Sequence, residues 1–145
     1  MKRQYPRYPI PAVSGVIVNN KTQILAVQRG TNPGKGQWSL PGGAVHLGEP
    51  VRDAVRREIR EECGIEVSVT EILGVFDRIF RDRQGRVEYH YVLVSFLCRL
   101  EKGQPTAQSD AWAVRWVGRE EIDAFEWTPG VKEFLEEILK RVKQK

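Results

Sequence analysis

Residues 43–65 read GAVHLGEPVRDAVRREIREECGI, and this stretch decides the fold. Apolar residues recur there at every fourth position, as on the buried face of an amphipathic helix: Val51, Val55, Ile59 and Cys63. Pro50 suits the first helical turn, because its missing N–H would have no partner there. Gly64 is a stop signal for the same helix. The pattern therefore predicts a helix over residues 50–63 with one buried face.

Three glutamates share one side of this predicted helix. Glu58, Glu61 and Glu62 are spaced i, i+3 and i+4, so they repel one another by roughly a few tenths of a kcal/mol per pair. Hard divalent cations favour such a cluster, because they bind carboxylate oxygens jointly with substrate phosphates. Taken alone, the three glutamates also fit a solvated helix face that is offset by its own arginines: Arg52, Arg56, Arg57 and Arg60.

The residues before the helix favour the metal-site interpretation. Leu40-Pro41-Gly42-Gly43 is rich in glycine, and we expect a tight turn that exposes backbone groups to a ligand or a metal.

The whole stretch resembles the box of the Nudix hydrolase family: Gly, five residues, Glu, seven residues, Arg-Glu-aliphatic, any residue, Glu-Glu, any residue, Gly-aliphatic. All nine fixed positions are filled between Gly43 and Ile65. With average residue frequencies, a chance match is on the order of 10⁻⁹ per starting position. Trp38-Ser39-Leu40-Pro41 and Val114-Arg115-Trp116-Val117 extend the similarity to MutT-like members over about residues 12–140.

The resemblance implies a reaction and a set of site residues. The reaction is hydrolysis of a diphosphate bond with Mg²⁺, or Mn²⁺ as a substitute, which neutralises the phosphates and lowers the pKa of a bound water. Glu49 and Arg57 match a pair in which the arginine orients the helix carboxylates. The resemblance therefore also implies that Arg57 belongs to the catalytic set, together with the glutamates. The implied metal ligands are Glu58, Glu61, Glu62 and the carbonyl of Gly42.

Four further residues are candidates, each with a structural alternative. The base that activates water is Glu58 or Glu61, or a carboxylate on a later loop, where Asp110 is the candidate; Asp110 could equally begin a turn. Candidate substrate contacts lie at Arg29, Trp38 and Arg78. The arginines present a fork of donors to phosphate, although a strand-end or solvated arginine fits as well. For Trp38, core packing is the alternative to stacking on a ligand.

The rest of the chain alternates strand and helix patterns. Strands are predicted over residues 12–18, 23–28, 38–40, 67–76, 87–100 and 111–117, with the first two as a hairpin. Residues 87–100 are apolar on both faces and therefore form a central strand. A short helix follows over residues 119–125, and Thr128-Pro129 opens a final helix. The predicted class is α/β, and the resemblance specifies an α/β/α sandwich on a mixed β-sheet.

Length and composition fit one globular domain over residues 1–145, with residues 1–11 as an extended entry because alternate prolines forbid a helix. The net charge of +4 suits an anionic ligand. Cys63 and Cys98 have no CxxC partners and are expected to be reduced and buried. We expect no signal peptide and no membrane span, and the cytoplasm is the expected location.

The substrate is less well determined than the reaction. Length and the stretches Phe76-Asp77-Arg78 and Tyr89-His90-Tyr91 make the chain similar to short ADP-ribose pyrophosphatases, so ADP-ribose or a related nucleotide sugar is expected. Position 81 is arginine, where some ADP-ribose enzymes carry proline. The alternatives are a (d)NTP pyrophosphohydrolase of the pool-sanitising type, an RNA-end hydrolase, and an inactive nucleotide-binding module. We expect a small nucleotide substrate rather than nucleic acid, and a monomer or homodimer.

Overall fold

Two β-sheets lie between two α-helices in a computed structural model, which describes residues 2–143. The elements in chain order are β1 (Ile10–Ile17), β2 (Ile24–Arg29), β3 (Trp38–Ser39), β4 (Gly42–Ala44), α1 (Val51–Cys63), β5 (Glu66–Arg81), β6 (Val87–Lys102), β7 (Ala111–Val117), a 3₁₀ helix (Arg119–Ala124) and α2 (Val131–Lys143).

The larger sheet is mixed and has the strand order β4-β1-β6-β5. β1 runs parallel to β6, with Val13 opposite Val94, and antiparallel to β4. β5 and β6 form a long antiparallel hairpin whose pairing shifts register at several points. The smaller, antiparallel sheet has the order β3-β2-β7. The predicted α/β class with a mixed sheet is confirmed, and β6 is central as its two apolar faces required.

Each helix covers one face of the sheets. α1 buries Ala54, Val55, Ile59 and Cys63 against a cluster that includes Val13, Ile17 and Phe96. α2 packs on the opposite side, against a second cluster that includes Val16, Ile24 and Val117. β1 therefore contributes to both clusters. Each fully buried aliphatic side chain contributes about 1.5–3 kcal/mol, so the sandwich holds β1 and β4 firmly beneath α1.

Two local predictions were wrong. β1 and β2 do not form a hairpin: an isolated bridge joins Val18 to Ile24, and the strands enter different sheets. Residues 41–43 do not form a free turn, because Gly42–Ala44 is strand β4 and pairs with β1. Gly42 is required there, since a Cβ atom at this position would lie 2.0 Å from the carbonyl oxygen of Val13.

The helix starts also differ from prediction. Pro50 has extended backbone angles and caps α1 rather than joining it, and Val51 is exposed while Ala54 takes its place in the buried face. α2 begins only after Gly130, whose φ is +84°. Thr128 therefore lies outside α2, and its hydroxyl donates to the hydroxyl oxygen of Ser39.

Three simpler expectations can be compared with the structure. Cys63 and Cys98 are free and buried, as predicted. β1 begins at Ile10, so the extended entry is two residues shorter than residues 1–11. Within the part of the chain that is described, none of the helices has the length and apolar character that a membrane crossing requires.

Candidate active site

The site is built where the second half of α1 faces β4. A Cβ atom on Gly43 would lie 2.5–2.7 Å from the carboxylate atoms of Glu58, so only glycine lets β4 and this side chain approach so closely. The N–H of the neighbouring Gly42 donates to Glu62 Oε2 at 3.3 Å. The two glycines thus set the distance between the sheet and the helix carboxylates.

Arg57 connects the carboxylates around it. Its Nε and Nη2 donate to the two oxygens of Glu49 at 2.7 and 3.0 Å, and Nη2 also donates to the carbonyl oxygen of Ala44 at 3.0 Å. Its Nη1 donates to Glu58 at 2.9 Å and to Glu61 at 3.2 Å. All three guanidinium nitrogens of Arg57 are therefore engaged by the residues around it.

This network keeps Glu49 ionised. The hydrogen bond from Arg57 is the main reason that the pKa of Glu49 falls to about 2, although burial acts in the opposite direction. The same contact raises the pKa of Arg57 above its ordinary value. Lysine could not replace this arrangement, since its ammonium group lacks the planar fork that meets a carboxylate with two bonds.

Glu62 has the opposite environment. Burial, and then the negative charge of Glu58, raise the pKa of Glu62 to about 8, while the Gly42 N–H and the charge of Arg29 act against them. Burial also raises the pKa of Glu58, although Arg57 opposes it. A partly buried carboxylate with a like charge beside it and few donors tends to stay protonated, and a cation bound there would favour its ionised form. Glu61 is half-exposed at the edge of the pair.

A cavity of about 330 Å³ opens in front of these carboxylates. Of the predicted site residues, the structure brings Arg29, Arg78, Asp110, Gly42 and the box residues to this cavity, together with His46. The box residues that line it are Gly43, Arg57, Glu58, Glu61 and Glu62. The predicted candidates other than Trp38 therefore share one site.

Asp110 is held near Glu62 by the loop before β7. The N–H of Thr106 donates to the carbonyl of Cys63, and the N–H of Gln108 donates to the carbonyl of Glu62, both at 2.9 Å. These bonds attach the loop to the C-terminal end of α1, whose last carbonyls lack helical partners. Asp110 lines the cavity, and its charge acts on Glu62.

Two arginines supply positive charge to the cavity. Arg29 Nε donates to the carbonyl of Pro33 at 2.6 Å, which fixes its side chain at the end of β2. Arg78 lies over the ring of Phe76, and burial lowers the pKa of its guanidinium group. Neither arginine forms an ion pair with a carboxylate within residues 2–143. Both therefore have charge available for an anionic ligand.

Trp38 does not join them. Its ring packs edge-on against Phe125 with centroids 5.0 Å apart, within the cluster below α2, and it is absent from the cavity lining among the described residues. Packing is the role that the structure gives Trp38, because β3 directs this side chain toward the α2 layer. The substrate contact predicted for it has no support in this arrangement.

The cavity also contains residues that sequence reasoning missed or left open. Phe80 and Tyr91 lie on opposing strands of the β5–β6 hairpin and offer aromatic surface, which their sequence alone could not separate from core packing. Arg3 was missed entirely. Its local sequence carries no signal, because its position depends on contacts with residues about eighty positions later in the chain.

The carboxylates could hold a cation whose remaining coordination positions are filled by a bound ligand. Among residues 2–143, no three histidine, cysteine or acidic side chains form a complete metal cluster on their own. Mg²⁺, however, is usually held by one or two carboxylates together with substrate phosphates. Glu58 and Glu62 provide such a pair, with the backbone of Gly42 beside them. The donor set therefore fits a divalent cation shared with a phosphate-bearing ligand.

Comparison with known proteins agrees with the family resemblance seen in the sequence. A family model described as the NUDIX domain matches residues 9–138. The chain is 39% identical to an ADP-ribose pyrophosphatase of Methanocaldococcus jannaschii over 104 residues, which cover 72% of this chain and 59% of that protein's length. It is 35% identical to a putative 8-oxo-dGTP diphosphatase 2 of Mycobacterium tuberculosis, covering 87% and 85% of the two chains.

A solved structure agrees in fold. The crystal structure of a MutT NUDIX hydrolase from Burkholderia pseudomallei is 31% identical to this chain and superposes with a TM-score of 0.76, over 90% of this chain and 98% of the other.

Proposed function

The chain belongs to the NUDIX family, and from this premise we propose that it hydrolyses the diphosphate bond of a nucleoside-diphosphate-linked substrate. One observation carries the proposal: the partly buried pair Glu58 and Glu62 lines the same cavity as Arg29 and Arg78. The carboxylates can bind a divalent cation, and the arginines can bind phosphate oxygens. Together they fit a diphosphate that carries a bound metal ion. Intact family glutamates argue against an inactive nucleotide-binding module.

The residues divide the work of this reaction. A bound Mg²⁺, or Mn²⁺ in its place, would neutralise phosphate charge and acidify a water molecule. Glu58 and Glu62, with Gly42 and Glu61 beside them, would hold the cation, and Arg57 keeps the glutamates in place. The arginines at positions 29 and 78 bind the diphosphate.

A carboxylate must also accept the proton of the attacking water. Glu61, half-exposed on α1, and Asp110, on the loop near Glu62, are the candidates that we propose, and both line the cavity. Glu58 is a third candidate, since Arg57 Nη1 donates to one oxygen of Glu58 and to one oxygen of Glu61 alike.

ADP-ribose or a related nucleotide sugar is the substrate that we propose. The similarity to the M. jannaschii ADP-ribose pyrophosphatase supports it, although that protein is longer than this chain. The cavity of about 330 Å³ lies within the size range of small-ligand sites. Phe80 and Tyr91 add aromatic surface for a nucleoside. The two free, buried cysteines agree with a reducing compartment such as the cytoplasm.

A (d)NTP is the second candidate. The relative from M. tuberculosis, a putative 8-oxo-dGTP diphosphatase 2, matches this chain over a larger share of both lengths than the M. jannaschii protein does. The same carboxylates and arginines would serve a triphosphate, because the reacting group is again a phosphoanhydride.

Phosphate release from a substrate panel tests both proposals. ADP-ribose, nucleotide sugars, dinucleotides and (d)NTPs are incubated with the protein, Mg²⁺ or Mn²⁺, and added phosphatase. We expect release from ADP-ribose that EDTA abolishes, because the glutamates need the cation. Preference for triphosphates would move the substrate assignment to the second candidate. If no substrate in the panel released phosphate with either metal, the proposed hydrolase activity would be wrong.

Gly43→Ala should impair hydrolysis while leaving the fold intact. Its new methyl group would meet the Glu58 carboxylate and displace it, and a shift of about 1 Å at a reacting centre can cost about 10²-fold in rate. The measurement is kcat beside the thermal midpoint.

Gly48→Ala provides the matched control for this substitution. Gly48 has φ +80° and open space around it, so alanine there should cost about 1–2 kcal/mol of stability and leave kcat unchanged. Equal kcat values for wild type and Gly43→Ala would show that the close approach of β4 to Glu58 is not needed.

A further inference from the structure

We propose that Arg3 is a further substrate-binding residue, which contacts the diphosphate of the ligand from the N-terminal side of the cavity. Residues 2–9, called here the N-terminal arm, would then form part of the active site. The proposal rests on the proposed function, since the anion that Arg3 meets is the diphosphate of that substrate. It names a contact that lies outside the NUDIX box.

The N-terminal arm is attached to the tip of the β5–β6 hairpin. The backbone N–H of Tyr5 donates to the carbonyl of Glu88 at 2.7 Å, and Gln4 Nε2 donates to the Glu88 carboxylate at 2.7 Å. The hydroxyl of Tyr5 donates to Asp82 Oδ2 at 2.8 Å. Three hydrogen bonds from two adjacent residues thus fix the chain immediately after Arg3.

Asp82, which anchors the hydroxyl of Tyr5, is itself held by further hydrogen bonds. Its carboxylate also accepts hydrogen bonds from the N–H groups of Gln84 and Arg86 and from Arg86 Nε. Burial acts to raise the pKa of Asp82, but the hydrogen bonds from Tyr5, Arg86 and Gln84 outweigh it and hold that pKa at about 2. The guanidinium group of Arg86 lies 5.1 Å from the centre of the Tyr5 ring. The tyrosine is therefore held from two directions.

The backbone of Tyr5 agrees with a position fixed by these contacts. Its φ is +50°, in the left-handed region that a tyrosine rarely adopts. Such a conformation costs on the order of 1–3 kcal/mol and persists only where the surroundings determine it. The contacts to Asp82, Arg86 and Glu88 supply that determination.

Arg3 itself lines the cavity with Glu58, Phe80 and Tyr91. Its positive charge acts on Glu58, which places it within electrostatic reach of the carboxylates. No ion pair of Arg3 is seen within residues 2–143. Its fork of donors is therefore available to an anion that approaches Glu58, as the diphosphate must.

Arg7 offers a matched control. It lies on the same arm and carries the same charge, but among the described residues it is not part of the cavity lining. Loss of Arg3 should therefore weaken binding through a direct contact, whereas loss of Arg7 removes only a distant charge that salt screens.

The test compares Arg3→Ala, Arg3→Lys and Arg7→Ala. With ADP-ribose we expect Arg3→Ala to raise KM about tenfold with little change in kcat, Arg3→Lys to restore part of the loss, and Arg7→Ala to match wild type. The Kd of ADP, measured by calorimetry, gives the same comparison without turnover. It tests Arg3 even if the panel of substrates shows no hydrolysis. Equal KM and Kd for wild type and Arg3→Ala would overturn the proposal.

Tyr5→Phe tests the role of the anchor. Phenylalanine keeps the ring and removes the hydroxyl bond to Asp82, so KM should rise about threefold in the wild-type background. If Tyr5 acts by positioning Arg3, the double variant Arg3→Ala/Tyr5→Phe is no worse than Arg3→Ala alone. Additive losses would contradict positioning and leave Tyr5 a separate, structural role.

Discussion

Glu62→Gln is expected to reduce kcat by at least ~10³-fold, beyond the ~10–100-fold that supporting residues around a metal site cost. The substitution removes a charged oxygen, the metal ligand that we propose, from the partly buried carboxylate pair and keeps the size of the side chain. In the absence of metal, the folded Glu62→Gln variant should be at least as stable as the wild-type protein. Glu62 is partly buried beside the like charge of Glu58, and its ionisation is unfavourable in the folded state.

The stability difference between Glu62→Gln and the wild type should grow as pH rises. The pKa of Glu62 in the folded protein, about 8, lies above its ordinary value of 4.5. The wild type therefore loses stability as pH rises between these values, because the unfolded chain has already released the proton. Glutamine does not titrate, so the thermal midpoint of the variant should gain on wild type from pH 5 to pH 8, in the absence of divalent cation.

The control for Glu62→Gln is Glu137→Gln on α2, which changes the same charge on an exposed helix face outside the cavity. It should leave kcat and its pH profile unchanged. A Glu62→Gln protein that is inactive because it is unfolded, as judged by circular dichroism, would contradict the separation of catalysis from stability at this position.

Arg57→Ala should damage both stability and activity. It leaves Glu49, Glu58 and Glu61 without the guanidinium group that they share, and removing one partner of a largely buried ion pair costs about 3 kcal/mol. Activity should fall by about 10–100-fold, because the glutamates lose their orientation. Arg57→Lys should recover part of the stability and little of the activity. Urea unfolding and kcat measure the two effects.

Acid should reduce the stability difference between wild type and Arg57→Ala. The pKa of Glu49 is lowered to about 2 by Arg57, so its contribution is complete above its ordinary value of 4.5 and is lost as pH falls toward 2. Arg60→Ala is the control. It breaks an ion pair with Glu66 on the same helix, but both side chains are about half exposed, so the expected loss is about 0.5 kcal/mol or less. Equal losses for the two variants would show that burial of the Arg57 network contributes nothing.

The sequence predicted the fold best where a repeating pattern coincided with burial. The stripe of Val55, Ile59 and Cys63 located α1, and the two apolar faces of residues 87–100 identified the central strand. Prediction failed where long-range pairing decided the outcome. Gly42 and Gly43 form a strand because β1 offers a free edge, which no local signal reveals.

Within the candidate site, the spacing of the box located the glutamates and the arginine that fixes them. It could not show that Trp38 packs toward α2, because a tryptophan before a glycine pair fits either layer. Nor could it place Arg3, whose position depends on a bond between Tyr5 and Asp82. Local spacing predicts what one helix carries, whereas residues that meet from distant segments require the fold.

The attachment of the Asp110 loop to the end of α1 has an evolutionary consequence. Hydrogen bonds join this loop to α1, and α1 packs against β4, whereas the β5–β6 hairpin and the N-terminal arm supply a separate part of the cavity wall. Substitutions in that wall can change which nucleoside group is accepted while the reactive carboxylates keep their spacing. Directed evolution of new specificity should therefore randomise Phe80 and Tyr91 first and keep Arg3, which we propose binds the diphosphate that all these substrates share. Such libraries should retain a high fraction of folded, metal-competent proteins.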